Sequence, residues 1–252
     1  MENKLKKKFN DDGYLILSID DHELIDKVNM DVEAILNKQS IKTNSKIYSY
    51  NESPRLVESY KKSLNCKKLA KHPLIVKTLK DIFDSTPLPF STINFLKSTQ
   101  QPLHSDYVHF GTIPELKLVG AWIALEDIDP RSGPLQIVPG SHKFDIFEYT
   151  QLVDRLPKNL TDVKHQYTLY EEWVKKALKE MNLSTYTPEL KKGDCILWAA
   201  NLLHGSPDCD DPSLSRKSQV THWSFDCVEM HYNPNFSIPS KRKFAKRDIN
   251  YF

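Results

Sequence analysis

The chain has 252 residues, a formal net charge of +2, 27% charged residues and 39% hydrophobic residues. This composition is that of an ordinary soluble globular protein, and the near-neutral charge argues against nucleic acid or an anionic membrane as partner. No apolar run approaches the ~18 residues of a membrane span, and with 7 glycines and no GxGxxG or GxxxxGK[ST] there is no signature of a dinucleotide or P-loop nucleotide site. The basic stretches KLKKK (4–8) and KRKFAKR (241–247) read as solvated ends. Met1 is followed by charge with no apolar h-region, so no signal peptide is expected. Cys66, Cys195, Cys209 and Cys227 form no CxxC pair, which fits reduced thiols in a cytoplasmic protein.

In chain order, residues 1–12 read as a charged helix that stops at Gly13, and GYLILS behind it as a short buried strand. Asp20 with Glu23 resembles a capping box. Leu24, Val28, Val32, Ile35 and Leu36 then make a helical stripe. Residues 55–83 hold more helical pattern, with Ile75, Leu79 and Ile82 on one face and Val76 and Phe83 beside them. After Pro87 and Pro89 the texture changes. Residues 90–98, 118–128 and 134–138 are strand-like, with DPRSGP (129–134) a loop. A helical insert at about 165–182 repeats Leu169, Trp173, Ala177 and Met181, flanked by Tyr170, Val174 and Leu178. DCILWA (194–199) and SQVTHWSFDC (218–227) are strands. Helices first and strands afterwards predict an α+β protein, mainly a β core with a helical layer against it and the insert as a cover.

The chemistry is expected in QPLHSDYVHF (101–110), where one serine separates His104 from Asp106. On a strand, residues i and i+2 share a face, so an imidazole and a carboxylate would project together. A mononuclear iron site needs one more ligand, since two histidines and a carboxylate leave three positions open. Of the nine histidines, His204 stands directly after a predicted strand and before a Gly-Ser-Pro turn, and Arg216 follows at the mouth of the next strand. An arginine there suits a dicarboxylate through its bidentate fork. His142, in PGSH, is the rival third ligand; it reads as structural because it follows a tight turn and no arginine trails it. His222 reads as a core histidine or one that supports a ligand.

These residues resemble the phytanoyl-CoA dioxygenase family of Fe(II)- and 2-oxoglutarate-dependent oxygenases. The resemblance rests on DGYLIL, QPLHSD, GAWIALEDIDPRSGPLQIVPGSH (120–142), KKGDCILWAANLLHGS (191–206) and SRKSQVTHW (215–223), in the family's order over nearly the whole chain. It implies a double-stranded β-helix, a jelly-roll or cupin-like barrel with helices on one sheet. The layout expected is one domain over 1–252: a mostly helical layer to about 85, a jelly-roll core at about 90–228 with an insert at about 147–183, and a tail at 229–252. It implies that His104, Asp106 and His204 bind iron and that Arg216 and Ser206 hold the distal carboxylate of 2-oxoglutarate. Trp122 either lines that pocket or is a core aromatic, and Gln101 faces it. Tyr107 and His109 either touch substrate or pack the barrel mouth. The family often has Asn-Gly before PL; here it is Ser132-Gly133.

The function implied is hydroxylation of an unactivated C–H of a small molecule, a metabolite or natural-product intermediate, using Fe(II), 2-oxoglutarate and O2 and releasing succinate and CO2. The carboxylate at Asp106 favours hydroxylation over halogenation, for which some relatives carry a small residue there. Desaturation, cyclisation and epimerisation use the same oxidant and stay open. Two readings from other classes stand beside these: a divalent-metal hydrolase and a non-catalytic cupin-like binding module. The partners expected are a small-molecule substrate, no nucleic acid and no membrane, for a monomer or homodimer.

Overall fold

The structure is a computed structural model that describes residues 4–42, 49–50, 53–144, 163–232 and 245–252. Five α-helices are described: α1 (Lys4–Asp12), α2 (His22–Lys42), α3 (Leu64–Ala70), α4 (Pro73–Phe83) and α5 (Val163–Glu180). The strands are β1 (Tyr14–Ser18), β2 (Ser49–Tyr50), β3 (Ser53–Val57), β4 (Pro87–Phe95), β5 (Phe110–Ile113), β6 (Val119–Ala124), β7 (Gln136–Ile137), β8 (Asp194–Ala199), β9 (His204–Gly205), β10 (Ser218–Phe225), β11 (Glu229–Tyr232) and β12 (Ala245–Lys246).

Among the described residues, seven strands form one sheet in the order β1-β8-β6-β10-β4-β3-β2, and smaller sheets join β12-β11-β5 and β7-β9. The pairings are antiparallel. Every residue of β6 and β10 is buried. Those two strands sit mid-sheet with both faces covered; β6 runs apolar throughout, whereas β10 buries Gln219, Thr221 and His222 among its apolar residues. One face carries the helices. Ile25, Val28, Val32 and Leu36 of α2, with Leu69 of α3 and Ile75, Leu79 and Ile82 of α4, pack with Val119, Ala121 and Ile123 of β6 and Trp223 and Phe225 of β10. On the other face Trp122, Ala124, Ile196, Trp198 and Val220 pack with Leu135, Ile137 and Leu202.

Local chemistry sets the helix ends. Ser63 caps α3 by accepting from the Cys66 amide at 3.0 Å, and α4 starts with Pro73 behind His72, whose Nδ1 accepts from the Leu74 amide at 3.3 Å. At α2 the residue that accepts is Asp21, not Asp20: its Oδ1 takes the Leu24 amide at 3.1 Å. The buried stripe accordingly begins at Ile25, with Leu24 and Ile35 only partly buried at its margins.

Residues 55–57 fall in the stretch read as helical, yet with 53 and 54 they form β3. The exposed ladder of β4 takes them, pairing Arg55 with Phe95 and Val57 with Ile93, and Pro54 has no amide to give a helix. The segment read as a tail contains β11, which pairs with β5 and β12. Of the insert expected at about 147–183, residues 147–162 lie outside the described residues, as do 241–244 of the basic KRKFAKR stretch. No helix among the described residues is long and apolar enough to cross a membrane.

Candidate metal centre

The segment 101–110 is not a regular strand. His104 makes a one-residue antiparallel bridge with His204, each donating its amide to the other's carbonyl at 2.9 Å. The chain then leaves the ladder, and Asp106–Val108 is a 3-10 turn anchored by the Tyr107 amide on Ala200 O at 2.9 Å. The two side chains therefore meet by bridge and turn, not by the i, i+2 alternation of a strand. The chain turns where the ladder ends: the His104 amide is met by His204 O and the Tyr107 amide by Ala200 O, while the Ser105 amide between them turns to the Tyr170 hydroxyl. Gly205 belongs to the same device. A Cβ there would lie 2.8 Å from Gln101 O and 3.0 Å from the Leu103 amide, so only glycine lets the two segments close, with the Ser206 amide on Gln101 O at 3.0 Å.

Both histidines are aimed by their own backbone. His104 Nδ1 lies 2.9 Å from Pro102 O, and His204 Nδ1 lies 3.0 Å from Leu202 O. A carbonyl can only accept, so each Nδ1 carries the proton and each Nε2 keeps its lone pair. One donor atom from each of His104, Asp106 and His204 lies within 4.8 Å of the others, and all three residues are buried. His204 Nε2 is 3.7 Å from Asp106 Oδ1. Asp106 is held from two sides. Trp198 Nε1 donates to Oδ2 at 2.7 Å, and His222 Nε2 lies 3.4 Å from Oδ1. The Trp198 indole lies across Gly120, where a Cβ would meet its ring at 2.3 Å.

Burial, reinforced by His204, pushes the His104 imidazole down to about 3, and burial lowers His204 as well. Burial alone would raise the Asp106 carboxyl; the surrounding histidines, His222 foremost, outweigh it and hold it well below the usual carboxylate range. Two neutral imidazoles and one carboxylate, with lone pairs converging in a buried space, are a donor set for a divalent first-row metal.

Arg216 lies just before β10 and is 3% exposed. Its guanidinium carbon is 5.6 Å from the Trp122 ring and 5.9 Å from the Phe95 ring. Its Nε has no hydrogen-bond partner among the described residues, and burial lowers the group to about 10. Trp122, on β6, is fully buried with its Nε1 also unpartnered there. Ser206 and Gln101 are half-buried and tied to each other through the backbone. Tyr107 packs with Phe90, Leu118, Ala200 and Met230. His109 is half-buried, its ring 6.2 Å from that of His104, and burial lowers it to about 4. His142 stands elsewhere: its Nε2 is 2.9 Å from Asn10 O and its ring fills the space over Gly13.

The roles of two residues escaped the sequence reading. Arg55, opposite Phe95 on β3, is half-buried with its Nε unpartnered among the described residues, and burial lowers its pKa. Cross-strand partners share a face, so it stands on the wall that carries Phe95. Reading SPRLV as a strand would have revealed it. Tyr170 of α5 is 2% exposed; its hydroxyl accepts from the Ser105 amide at 2.7 Å and donates to Ser105 Oγ at 3.3 Å.

A family model described as phytanoyl-CoA dioxygenase (PhyH) matches residues 9–217. The peroxisomal phytanoyl-CoA dioxygenase of Rattus norvegicus is 23% identical over 203 residues, 77% of this chain and 51% of that protein. A probable phytanoyl-CoA dioxygenase of Caenorhabditis elegans is 26% identical over 211 residues, 78% of this chain and 59% of that protein. The chain thus spans only about half the length of these relatives. Among solved structures, the epimerase SnoN in complex with Fe3+, alpha ketoglutarate and nogalamycin RO superposes with a TM-score of 0.68 at 17% identity, covering 99% of this chain and 94% of that one. EctD from S. alaskensis with bound Fe gives 0.67 at 19% identity, covering 89% and 77%. The carbocyclase SnoK from nogalamycin biosynthesis gives 0.66 at 17%, covering 94% and 88%. The chain shares the fold of these proteins.

Proposed function

The chain belongs to the phytanoyl-CoA dioxygenase family, and on that premise we propose that it is an Fe(II)- and 2-oxoglutarate-dependent oxygenase that hydroxylates an unactivated C–H of a small molecule. The observation that carries the reading is Arg216. A buried guanidinium is costly unless an anion meets it, and this one, its Nε unsatisfied among the described residues, shares the sheet face of Trp122 and His222 beside the triad. A metal hydrolase has no use for such a group, and a binding module that had lost its chemistry has no need for three converging donors. The shared fold supports reading the antiparallel sheets as a double-stranded β-helix in one domain.

In this reading His104, Asp106 and His204 hold the metal. The Nδ1 contacts of the two histidines fix their tautomers, and Trp198 keeps Oδ2 of Asp106 occupied so that Oδ1 turns inward. Arg216, with Ser206, takes the distal carboxylate of 2-oxoglutarate, while Trp122 and Gln101 flank it. Tyr107 and His109 stand toward the substrate. When bound, Fe(II) and 2-oxoglutarate supply the oxidising chemistry with O2, releasing succinate and CO2. The protein's part is to position the reacting groups and exclude water. A second outcome, epimerisation or ring closure, is supported by the fold shared with the epimerase SnoN and the carbocyclase SnoK. The four cysteines are free, which suits a cytoplasmic setting.

The test is anaerobic addition of Fe(II) and then 2-oxoglutarate to the metal-free protein, followed by visible spectroscopy. A weak charge-transfer band, lost in His204→Ala and weakened in Arg216→Ala, is the expected result. Metal binding without the band sinks the assignment.

A further inference from the structure

Helix α5 does more than cover the site. Ser105 is the residue between two of the three donors, and its amide is buried with it. That amide points at the Tyr170 hydroxyl at 2.7 Å, and the same hydroxyl donates back to Ser105 Oγ at 3.3 Å. The helix is seated there by Val174, with Trp173, Ala177 and Leu178 partly buried, against Val108, Val138 and Leu203. Val108 ends the turn that carries Asp106, and Leu203 precedes the donor His204. One helix, distant in sequence from both ligand segments, therefore touches both.

We propose that Tyr170 is a positioning residue for the metal: its hydroxyl fixes the Ser105 peptide and with it the spacing between His104 and Asp106, so that docking of α5 and metal binding strengthen each other. This rests on the metal site described above. His104 N–H is pinned to His204 O and Tyr107 N–H to Ala200 O; Tyr170 is what pins the amide between them. Without the hydroxyl that buried amide is orphaned, and because the carbonyl of the same peptide is held by the His204 amide, the adjustment falls on the Ser105–Asp106 side and shifts the Asp106 carboxylate from the Trp198 indole. Coupling between sites is reciprocal, so the metal must in turn hold the helix down.

The experiment titrates Mn(II) into the metal-free full chain by calorimetry, comparing wild type, Tyr170→Phe and Val174→Ala, with thermal melts of each. Tyr170→Phe is expected to bind Mn(II) roughly 10- to 100-fold more weakly, the range usual for a group that orients a ligand. Val174→Ala trims packing but leaves the helix docked with its hydroxyl in place; it should melt earlier yet bind Mn(II) within about threefold of wild type, well short of that range. Equal affinity in wild type and Tyr170→Phe overturns the proposal while leaving the metal site standing. Equal weakening in both variants overturns it too, because packing then explains the effect. Wild type that binds no Mn(II) removes the site itself. If Tyr170→Phe does not fold, amide exchange of the wild type decides: Mn(II) must slow exchange across 168–180, and an unchanged rate refutes the coupling.

Discussion

Strand β10 has two faces, and they obey different rules. Toward the helices it presents Gln219, Thr221, Trp223 and Phe225. Trp223 and Phe225 enter the apolar cluster built with α2, α3 and α4. Gln219 is absorbed by the backbone, its Nε2 on Cys66 O at 3.0 Å and its Oε1 taking Asn94 at 3.2 Å. Toward the site the alternate residues are Val220, which packs on Trp122, and His222, which reaches Asp106. Arg216 lies two residues before the strand on the same alternation. Asp106 and Arg216 are the buried Asp and Arg among the described residues, and both stand on this side. One strand thus separates a surface that stabilises from a surface that keeps charge out of water, and the two should respond differently to substitution.

The sharpest test of that division is His204→Ala. Loss of one of three donors should abolish Fe(II) binding and activity while the melting temperature of the metal-free protein changes little; a large fall in stability would show that the two faces are not separable. Trp223→Ala is the mirror experiment. It empties a fully buried site on the helix face and should cost about 3–5 kcal/mol in denaturant unfolding, yet the fraction that remains folded should bind metal like wild type. Arg216→Lys keeps the charge and removes the fork, so 2-oxoglutarate affinity should fall about tenfold or more, with Mn(II) affinity in its absence unchanged; calorimetry reads both. Trp198→Phe keeps most of the packing and removes the donor on Asp106 Oδ2. Metal affinity should drop roughly tenfold, with a melting shift of only a few degrees. His142→Asn should be mildest: it loosens the contact to α1 and leaves metal affinity untouched, as befits a histidine outside the cluster.

Much of this division was legible in the sequence. DCILWA coincides with β8 residue for residue, because continuous apolar character bounded by Gly193 marks a strand covered on both sides. Ile75, Leu79 and Ile82 are buried as their spacing implies. His104, Asp106 and His204 converge because the motif carries chemistry that a pattern can reveal. What stayed hidden was set by partners distant in the chain. Beyond Pro54, nothing local tells that SPRLV prefers the free edge of β4 to a helix, and Arg55 was lost with that stretch. Asp21 rather than Asp20 accepts the helix amide because the chain direction on leaving β1, not composition, decides which carboxylate points inward. The 3-10 turn at Asp106 depends on Ala200 O, nearly a hundred residues onward. Tyr170 was counted as one more apolar position of a stripe, since periodicity says where a side chain faces and nothing about what its hydroxyl will meet.

The paired amides of His104 and His204 carry a consequence for how the protein comes into being. During synthesis His104 and Asp106 leave the ribosome long before the segment that completes the triad. Neither can gather a metal by local folding, since the closure that brings 204 beside 104 spans a long loop and comes at an entropic cost set by that length. On the function proposed above, an ion would therefore be a late arrival to a finished backbone, unlike the metals of small zinc modules, which organise the chain around themselves. A cell short of iron should still accumulate this protein folded and waiting to be loaded, and its abundance should track synthesis rather than metal supply.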